Sequence, residues 1–177
     1  NTILAADLLH NAKGINMAAW RITISTAGII NKIVKYTTEN HPYKLAISLN
    51  GTSQSQRLKT MPITEKQNFS DLIRAAKNYA YHSREKVTFE YVLLSGINDK
   101  PSDALKLLKI LNFTNCKLNI IPYNEIGGIY KRPTDEVIQA FLINLREALF
   151  PVTIRWSKGQ DIDAGCGQLA TTVGTKP

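Results

Sequence analysis

Short apolar runs and stretches with helical spacing alternate along the chain. The apolar runs are rich in β-branched and aromatic side chains and predict strands at residues 21–26, 43–49, 87–94, 117–123 and 152–156. Between them, apolar residues recur every three or four positions and predict helices at residues 2–12 and after Gly28, Ser70, Ser102 and Thr134. The hydroxyl residues Ser70, Ser102 and Thr134 are expected to be N-caps, because their side chains can accept from free backbone N–H groups.

This alternation predicts an α/β fold. Near-continuous apolar strands separated by amphipathic helices are typical of parallel βαβ units in which both faces of the sheet are covered. A complete (β/α)8 barrel needs about 250 residues. Five repeats in 177 residues therefore indicate a partial (β/α) barrel or an open sheet, in one domain over residues 1–177. Because the chain begins at Asn1 rather than at methionine, we expect it to be a fragment of a longer protein.

Composition and charge narrow the class of function. The chain is 44% hydrophobic, which excludes a disordered chain, and its apolar runs are shorter than the ~18 residues of a membrane span. The formal charge of +8 and the pI near 9.5 favour a polyanionic partner. The basic residues are dispersed, Arg57 and Arg155 among them, so a solvated surface is an equally good interpretation. Two cysteines, Cys116 and Cys166, form neither a disulfide framework nor a zinc pattern, which favours a reducing environment. With no membrane span in the sequence, we expect a cytoplasmic protein without a membrane partner.

Small polar residues follow four of the five predicted strands. They lie at 25–28, 48–51, 124–128 and 157–168. In a parallel sheet these loops share the carboxyl edge, where ligands of α/β proteins bind. Hydroxyls, amides and exposed backbone N–H groups at such an edge suit a polar small molecule such as a nucleoside. For any single loop, ordinary turn chemistry explains the same residues.

The last of these loops contains a cysteine between two glycines, Gly165 and Gly167. Such a thiol has little side-chain cover and a pliant backbone, so Cys166 is either reactive or an incidental surface thiol. Cys116 stands at the entrance to a strand and is expected to be an inert core residue. Glu90 lies inside an apolar strand, so its carboxylate is expected to meet a cation, a hydrogen-bond donor or a barrel interior.

Eight segments together resemble the C-terminal half of the radical-SAM RNA methyltransferases that methylate carbon 2 of adenine in large-subunit rRNA and in tRNA. They follow the family's order over nearly the whole chain. The segments are Arg21–Gly28 (RITISTAG), Leu45–Asn50 (LAISLN), Arg57 with Met61–Ile63, Val87–Leu94 (VTFEYVLL), Gly96–Asp99 (GIND), Asn119–Asn124 (NIIPYN), Tyr130–Pro133 (YKRP) and Asp161–Ala170 (DIDAGCGQLA).

The resemblance implies a radical-SAM partial barrel, of which this chain is the later half with about five parallel strands. It implies S-adenosylmethionine as cofactor and a 4Fe-4S cluster, whose ligands are expected upstream and not in this chain. It also implies that Cys166 is methylated first, and that a 5′-deoxyadenosyl radical then takes hydrogen from this methyl group before the carbon adds to adenine. The residues matching cofactor contacts are Ser25, Ser48, Leu49, Asn50 and Asn124. The implied partners are rRNA, tRNA and a reductant protein for the cluster, and the implied state is a monomer.

The chain departs from the family pattern at several points. It has no Cys-x3-Cys-x2-Cys motif and no Gly-Glu-Pro-like segment, both of which the family has upstream. Asn50 stands where the family usually has histidine, and asparagine cannot take or give a proton there. Three alternatives to a methyltransferase acting on carbon 2 of adenine therefore stay open. They are a basic RNA-binding fragment without chemistry, an enzyme using Cys166 as an ordinary nucleophile, and a relative that methylates carbon 8.

Overall fold

Helices and strands alternate in the structure as the periodicity predicts. The computed structural model describes residues 1–83, 85–112, 114–125 and 128–156. Within these ranges the helices are α1 (Thr2–His10), α2 (Ile30–Glu39), α3 (Gln54–Leu58), α4 (Phe69–His82), α5 (Pro101–Leu111) and α6 (Asp135–Ile143). The strands are β1 (Thr23–Thr26), β2 (Lys44–Ser48), β3 (Val87–Leu93), β4 (Cys116–Pro122) and β5 (Val152–Ile154). Short 3-10 helices cover Ala19–Arg21 and Pro62–Lys66, and none of these helices is long and apolar enough to cross a membrane.

The described strands form one parallel sheet in the order β1-β2-β3-β4-β5. Each strand pairs in parallel with the next one in the sequence. Parallel crossovers are right-handed in nearly all proteins, so an unbroken sequential order puts the connecting helices on the same face of the sheet. The α/β prediction is confirmed, and the strand order is that of a barrel wall rather than of a doubly wound sheet.

One face of the sheet packs against the helices and forms the main core. Strand residues such as Leu45, Ile47, Phe89, Tyr91 and Leu118 are fully or almost fully buried there. Their partners come from four helices: Ile33 of α2, Leu72 of α4, Leu107 of α5 and Phe141 of α6. Burial of large apolar side chains on one side of the sheet supplies the main driving force for this packing.

The opposite face of the sheet is largely polar. The register aligns Ser48, Glu90, Asn119 and Thr153 in one row across four strands. Thr153 is exposed and the other three are half-buried. This differs from the prediction that both faces are covered. Apolar and polar residues alternate in β3 and β4, and Val92 and Ile121 on the polar face make the apolar runs look continuous.

Helix α1 forms where the periodicity predicts it, but its apolar face is only partly covered. Ala6 is buried against Ile22 and Tyr43 in a small second cluster. Leu4 and Leu8, which the periodicity turns inward, are 62% and 64% exposed. The contacts of α1 with the rest of the described chain therefore include the buried Ala6 side chain and the carboxylate of Asp7, which accepts a hydrogen bond from the Tyr43 hydroxyl over 2.5 Å.

Two of the three predicted N-caps are wrong. Helix α4 begins two residues earlier than Ser70 implies, and Asn68 caps it by accepting from the backbone N–H groups of Ser70 (2.9 Å) and Asp71 (3.3 Å). Helix α5 begins at Pro101, whose fixed φ and missing N–H suit the first helical position, so Ser102 lies inside the helix. Thr134 caps α6 as predicted, since its hydroxyl accepts from the N–H of Val137.

Replacing Asn68 with alanine is expected to lower the free energy of unfolding by about 1 kcal/mol, because two N–H groups of α4 lose their acceptor. Ser102→Ala is the matched control, because Ser102 is exposed in the first turn of α5 and its hydroxyl caps no helix, and it should cost roughly a few tenths of a kcal/mol. Chemical denaturation of both variants measures the difference. Equal losses would show that Asn68 is not the N-cap.

Candidate functional site

All predicted cofactor contacts lie at the carboxyl edge of the sheet. Ser25 is near the end of β1, Ser48 ends β2, and Leu49 and Asn50 follow directly. Asn124 comes two residues after β4 ends. Because the strands are parallel and adjacent, these residues share one edge. The predicted placement is confirmed, and their role as cofactor contacts stays a prediction.

Three of these residues present polar groups that have no partner within the described residues. The Nδ2 of Asn124 is buried and lacks a hydrogen-bond acceptor there. The hydroxyls of Ser25 and Ser48 likewise make no hydrogen bond within the described ranges. Buried polar groups are nearly always satisfied in folded proteins, so the Asn124 amide indicates a ligand or a solvent molecule at this edge. Ser25 also lines an open groove of ≈ 590 Å³ between β1, α1 and α2.

The side chains of Leu49 and Asn50 are both engaged within the protein, so only the backbone of these two residues is available to a ligand at this edge. The Leu49 side chain is fully buried in the core, and its N–H donates to the Glu90 carbonyl over 2.8 Å. Asn50 adopts a left-handed conformation with φ of 51°. Its Oδ1 accepts from the N–H of Val92 (2.9 Å) and its Nδ2 lies 3.5 Å from the Met61 sulfur. The Asn50 side chain therefore links the turn after β2 to β3 by a hydrogen bond.

Two fully buried polar residues behind this edge are missed by the sequence predictions. Asn98 follows β3, and its amide accepts from the N–H of Leu94 and donates to the carbonyls of Val92 and Asn50. Arg57, which the sequence places among the dispersed basic residues, is 0% exposed and lies on α3. Both stand in segments that carry the family resemblance, which is the signal that could have singled them out.

Of the two cysteines, the structure describes only Cys116. Cys116 is buried in the core at the start of β4, and this burial raises the pKa of its thiol to about 12. The predicted core position of Cys116 is confirmed. Its inertness stays a prediction, which the raised pKa supports because a thiol without thiolate character is a poor nucleophile. Cys166, with Asp161, Asp163 and the rest of the 157–168 loop, lies outside the described residues.

Glu90 occupies the centre of the polar face. It pairs in register with Ser48 on one side and Asn119 on the other, and it is half-buried. Within the described ranges its carboxylate makes no ion pair or hydrogen bond. Of the three surroundings predicted for Glu90, the barrel-interior position is the one that the register supports.

The residues at this edge fit S-adenosylmethionine better than they fit a metal. Two free hydroxyls and an unpaired amide N–H match the carboxylate, amino and ribose groups of that molecule in polarity. Within the described residues, no group of three His, Cys, Asp or Glu side chains could hold a metal ion. The sequence has only two cysteines, so the chain as printed cannot supply the three ligands of the Cys-x3-Cys-x2-Cys motif.

The fold is similar to those of two solved proteins. A radical SAM methyltransferase from Sphaerobacter thermophilus superposes with a TM-score of 0.89 at 36% identity, over 94% of this chain and 49% of that protein. A domain of pyruvate-formate lyase-activating enzyme from Bacteroides vulgatus gives a TM-score of 0.63 at 12% identity, which is a likeness of fold alone. The likeness to the Sphaerobacter protein, in sequence as well as in fold, therefore places the chain in the class of the radical-SAM methyltransferases.

Sequence comparison specifies the family. The dual-specificity RNA methyltransferase RlmN of Lawsonia intracellularis is 46% identical over 95% of this chain and 47% of its own length. RlmN of Bdellovibrio bacteriovorus is 42% identical over 97% of this chain and 42% of its own length. No protein-family model matches the chain. The chain spans about half the length of these relatives. Over that half it belongs to the RlmN dual-specificity RNA methyltransferases, which confirms the resemblance seen in its motifs.

Proposed function

We propose that the chain is the part of a radical-SAM methyltransferase that binds S-adenosylmethionine and carries the methyl group. The proposed product is adenine methylated at carbon 2 in large-subunit rRNA and in tRNA. The observation that supports this most is the 46% identity to an RlmN protein over nearly the whole chain. The proposed organisation is a later barrel half over residues 1–177, completed by an upstream half that supplies the ligands of the 4Fe-4S cluster.

Ser25, Ser48 and Asn124 are proposed to contact S-adenosylmethionine through their unpaired polar groups, and Leu49 and Asn50 through the turn that they form. When bound, this cofactor supplies a methyl group and, after reduction by the cluster, a radical. Asn50 holds its turn against β3 and has no proton to exchange near neutral pH. The five residues therefore bind and orient the cofactor, and none of them serves as an acid or base.

Cys166 is proposed to accept the methyl group on its sulfur and to hold it until transfer to adenine. A carrier thiol must be reachable and must ionise, and the two residues that flank Cys166 in the sequence, Gly165 and Gly167, have no side chain that could block its approach. Cys116 fails both requirements because it is buried and its pKa is raised. Cys166 is thus the remaining candidate among the two cysteines of the sequence.

The proposed macromolecular partner is RNA. The net charge of +8 favours a polyanionic partner. In addition, two exposed tryptophans in the described residues make cation–π contacts with basic side chains. The Arg21 guanidinium and the Lys44 ammonium lie 4.9 and 5.6 Å from the Trp20 ring, and the Arg132 guanidinium lies 5.7 Å from the Trp156 ring. Exposed aromatic and cationic side chains together suit unpaired bases and phosphates. A reductant protein, a monomeric state and a cytoplasmic location complete the proposal.

The proposal is tested by the mass of the tryptic peptide that begins at Gly159, taken from the native protein as isolated from its own cells. This peptide contains Cys166 and not Cys116. We expect part of it to be heavier by one methyl group, located at sulfur by fragmentation, while the peptide with Cys116 is unmodified. A bare thiol at Cys166 in every molecule would count against the enzyme and favour a binding role.

Ser25→Ala and Asn124→Ala are expected to weaken S-adenosylmethionine binding by roughly threefold to tenfold each, the usual value of one hydrogen bond. Calorimetric titration of the native protein that contains this chain measures the affinity. Thr38→Val and Asn115→Ala are the matched controls, since both residues are exposed and lie at the amino edge of the sheet, near the end of α2 and directly before β4. Unaltered affinity in the Ser25 and Asn124 variants would remove these residues from the cofactor site.

A further inference from the structure

A buried guanidinium joins three segments behind the carboxyl edge. The Nε of Arg57 donates to the Leu49 carbonyl (3.1 Å), and its Nη1 donates to the Thr64 hydroxyl (2.7 Å). Its Nη2 donates to the carbonyls of Ala27 and Ser48. We call these residues the Arg57 network: Arg57, Ala27, Ser48, Leu49 and Thr64. The network ties the turn after β1 to the turn after β2 and to the 3-10 helix at Pro62–Lys66.

The surroundings of Arg57 show how its buried charge is satisfied. The side chain is 0% exposed, and within the described residues it has no carboxylate partner. Burial lowers the pKa of the guanidinium below its usual value. An arginine buried without a counter-charge is costly unless its N–H groups are satisfied, and here carbonyl and hydroxyl oxygens satisfy them. The planar guanidinium fixes the directions of these bonds, so it fixes the positions of the carbonyls as well.

The backbone of both turns is shaped around this side chain. Gly28 has φ of 91°, and a Cβ at this position would lie 2.9 Å from the Arg57 Nη2. A Cβ at Gly51 would lie 2.8 Å from the Arg57 backbone nitrogen. Any larger residue at either glycine would therefore push Arg57 or its helix away. The two glycines and Arg57 form one packed unit directly behind Ser25 and Ser48.

We propose that Arg57 is a positioning residue for the S-adenosylmethionine site, a role that rests on the proposed function. Arg57 is fully buried and contacts no ligand itself. It holds the turn after β1 and the turn after β2 at a fixed separation, so that Ser25 and the Ser48–Asn50 turn meet the same ligand molecule. Lysine cannot replace it, because a single ammonium nitrogen cannot reach oxygens on three separate segments at once.

Two variants of the native protein that contains this chain test the proposal. Arg57→Lys keeps the charge and removes the planar donor array, and we expect it to raise the KM for S-adenosylmethionine about tenfold or more while the KM for RNA stays unchanged. Thr64→Val removes one acceptor of the network with little change of shape, and we expect an increase of roughly threefold. The matched controls are Arg74→Lys, at a side chain 79% exposed on α4, and Thr37→Val, at a half-buried hydroxyl on α2. Both controls should leave the KM for S-adenosylmethionine unchanged.

Hydrogen exchange of the same variants separates this proposal from the proposed function. Without any ligand, we expect faster exchange of backbone amides at residues 25–30 and 48–52 in Arg57→Lys and Thr64→Val, and wild-type exchange in the controls. Unchanged exchange there would overturn the proposal, as would a folded Arg57→Lys protein with wild-type affinity for S-adenosylmethionine. If Arg57→Lys does not fold, Thr64→Val decides by the same criteria. A wild-type protein that binds no S-adenosylmethionine would contradict the proposed function, whereas the exchange result would still decide whether Arg57 fixes the turns.

Discussion

Replacing Cys166 with alanine, in the native protein that contains this chain, is expected to abolish methyl transfer to RNA. The loss should be on the order of 10³-fold or more, as for other enzymes that lose the atom carrying a covalent intermediate. S-adenosylmethionine affinity and the free energy of unfolding should stay close to their wild-type values, because the proposed role of Cys166 is to carry the methyl group and not to bind the cofactor or form the core. Methyl incorporation into RNA, calorimetric titration and thermal unfolding measure the three quantities.

Cys116→Ala is the matched control for this prediction. Cys116 is buried at the start of β4, so its loss should lower the free energy of unfolding by roughly 1 kcal/mol without affecting methyl transfer in the folded protein. The pair of variants assigns the chemistry to one sulfur. Methyl transfer that survives in Cys166→Ala, or that disappears in folded Cys116→Ala, would contradict the assignment.

Asn98→Ala is expected to lower the free energy of unfolding by about 2–4 kcal/mol, because the buried Leu94 N–H and the partly buried carbonyls of Val92 and Asn50 lose their partner. The Asn98 amide is 0% exposed, accepts from the Leu94 N–H over 2.8 Å, and donates to the carbonyls of Val92 (2.8 Å) and Asn50 (3.2 Å). An alanine at this position leaves all three without a hydrogen bond. Urea denaturation measures the loss, provided that the slope of the unfolding free energy against urea concentration is the same in the variant and the wild type.

Asn144→Ala provides the comparison for Asn98→Ala. The Asn144 amide donates to the Ala140 carbonyl over 2.8 Å, but the site is only half-buried, so water can replace the bond. We expect a loss below about 1 kcal/mol for this variant. Similar losses at both positions would mean that Asn98 does not hold the loop after β3.

Much of the fold could be predicted from periodicity. All five described strands and the longer helices follow from apolar spacing, because each buries one face against the core. Helix α3 (QSQRL) could not be found this way, since it has five residues and almost no apolar pattern. Its packing depends on Arg57, whose hydrogen-bond partners lie on other segments. The Ser70 and Ser102 caps failed because Asn68 and Pro101 are better suited to start those helices.

The sequence predicts where the candidate site lies, but not the buried hydrogen bonds that hold its loops in place. Small polar residues after parallel strands must meet at one edge, so Ser25, Ser48 and Asn124 could be grouped from the sequence. The hydrogen bond of the Asn50 side chain to Val92 depends on the pairing of β2 with β3. The burial of Asn98 depends on the same pairing and on the loop after β3. Such long-range contacts leave no local pattern, because each residue alone looks like an ordinary turn or surface residue.

The Arg57 network is also notable for how little of the chain it needs. Its most distant hydrogen bond, from Arg57 to the Ala27 carbonyl, joins residues 30 positions apart, and the others join residues 7 to 9 positions apart. Contacts between residues close in sequence form with little loop-closure entropy and tend to form early. All hydrogen bonds of the network lie within residues 27–64, so pairing of β1 with β2 is enough to bring together the two turns that it joins. Asn124 reaches the same edge only through the pairing of β4 with β3.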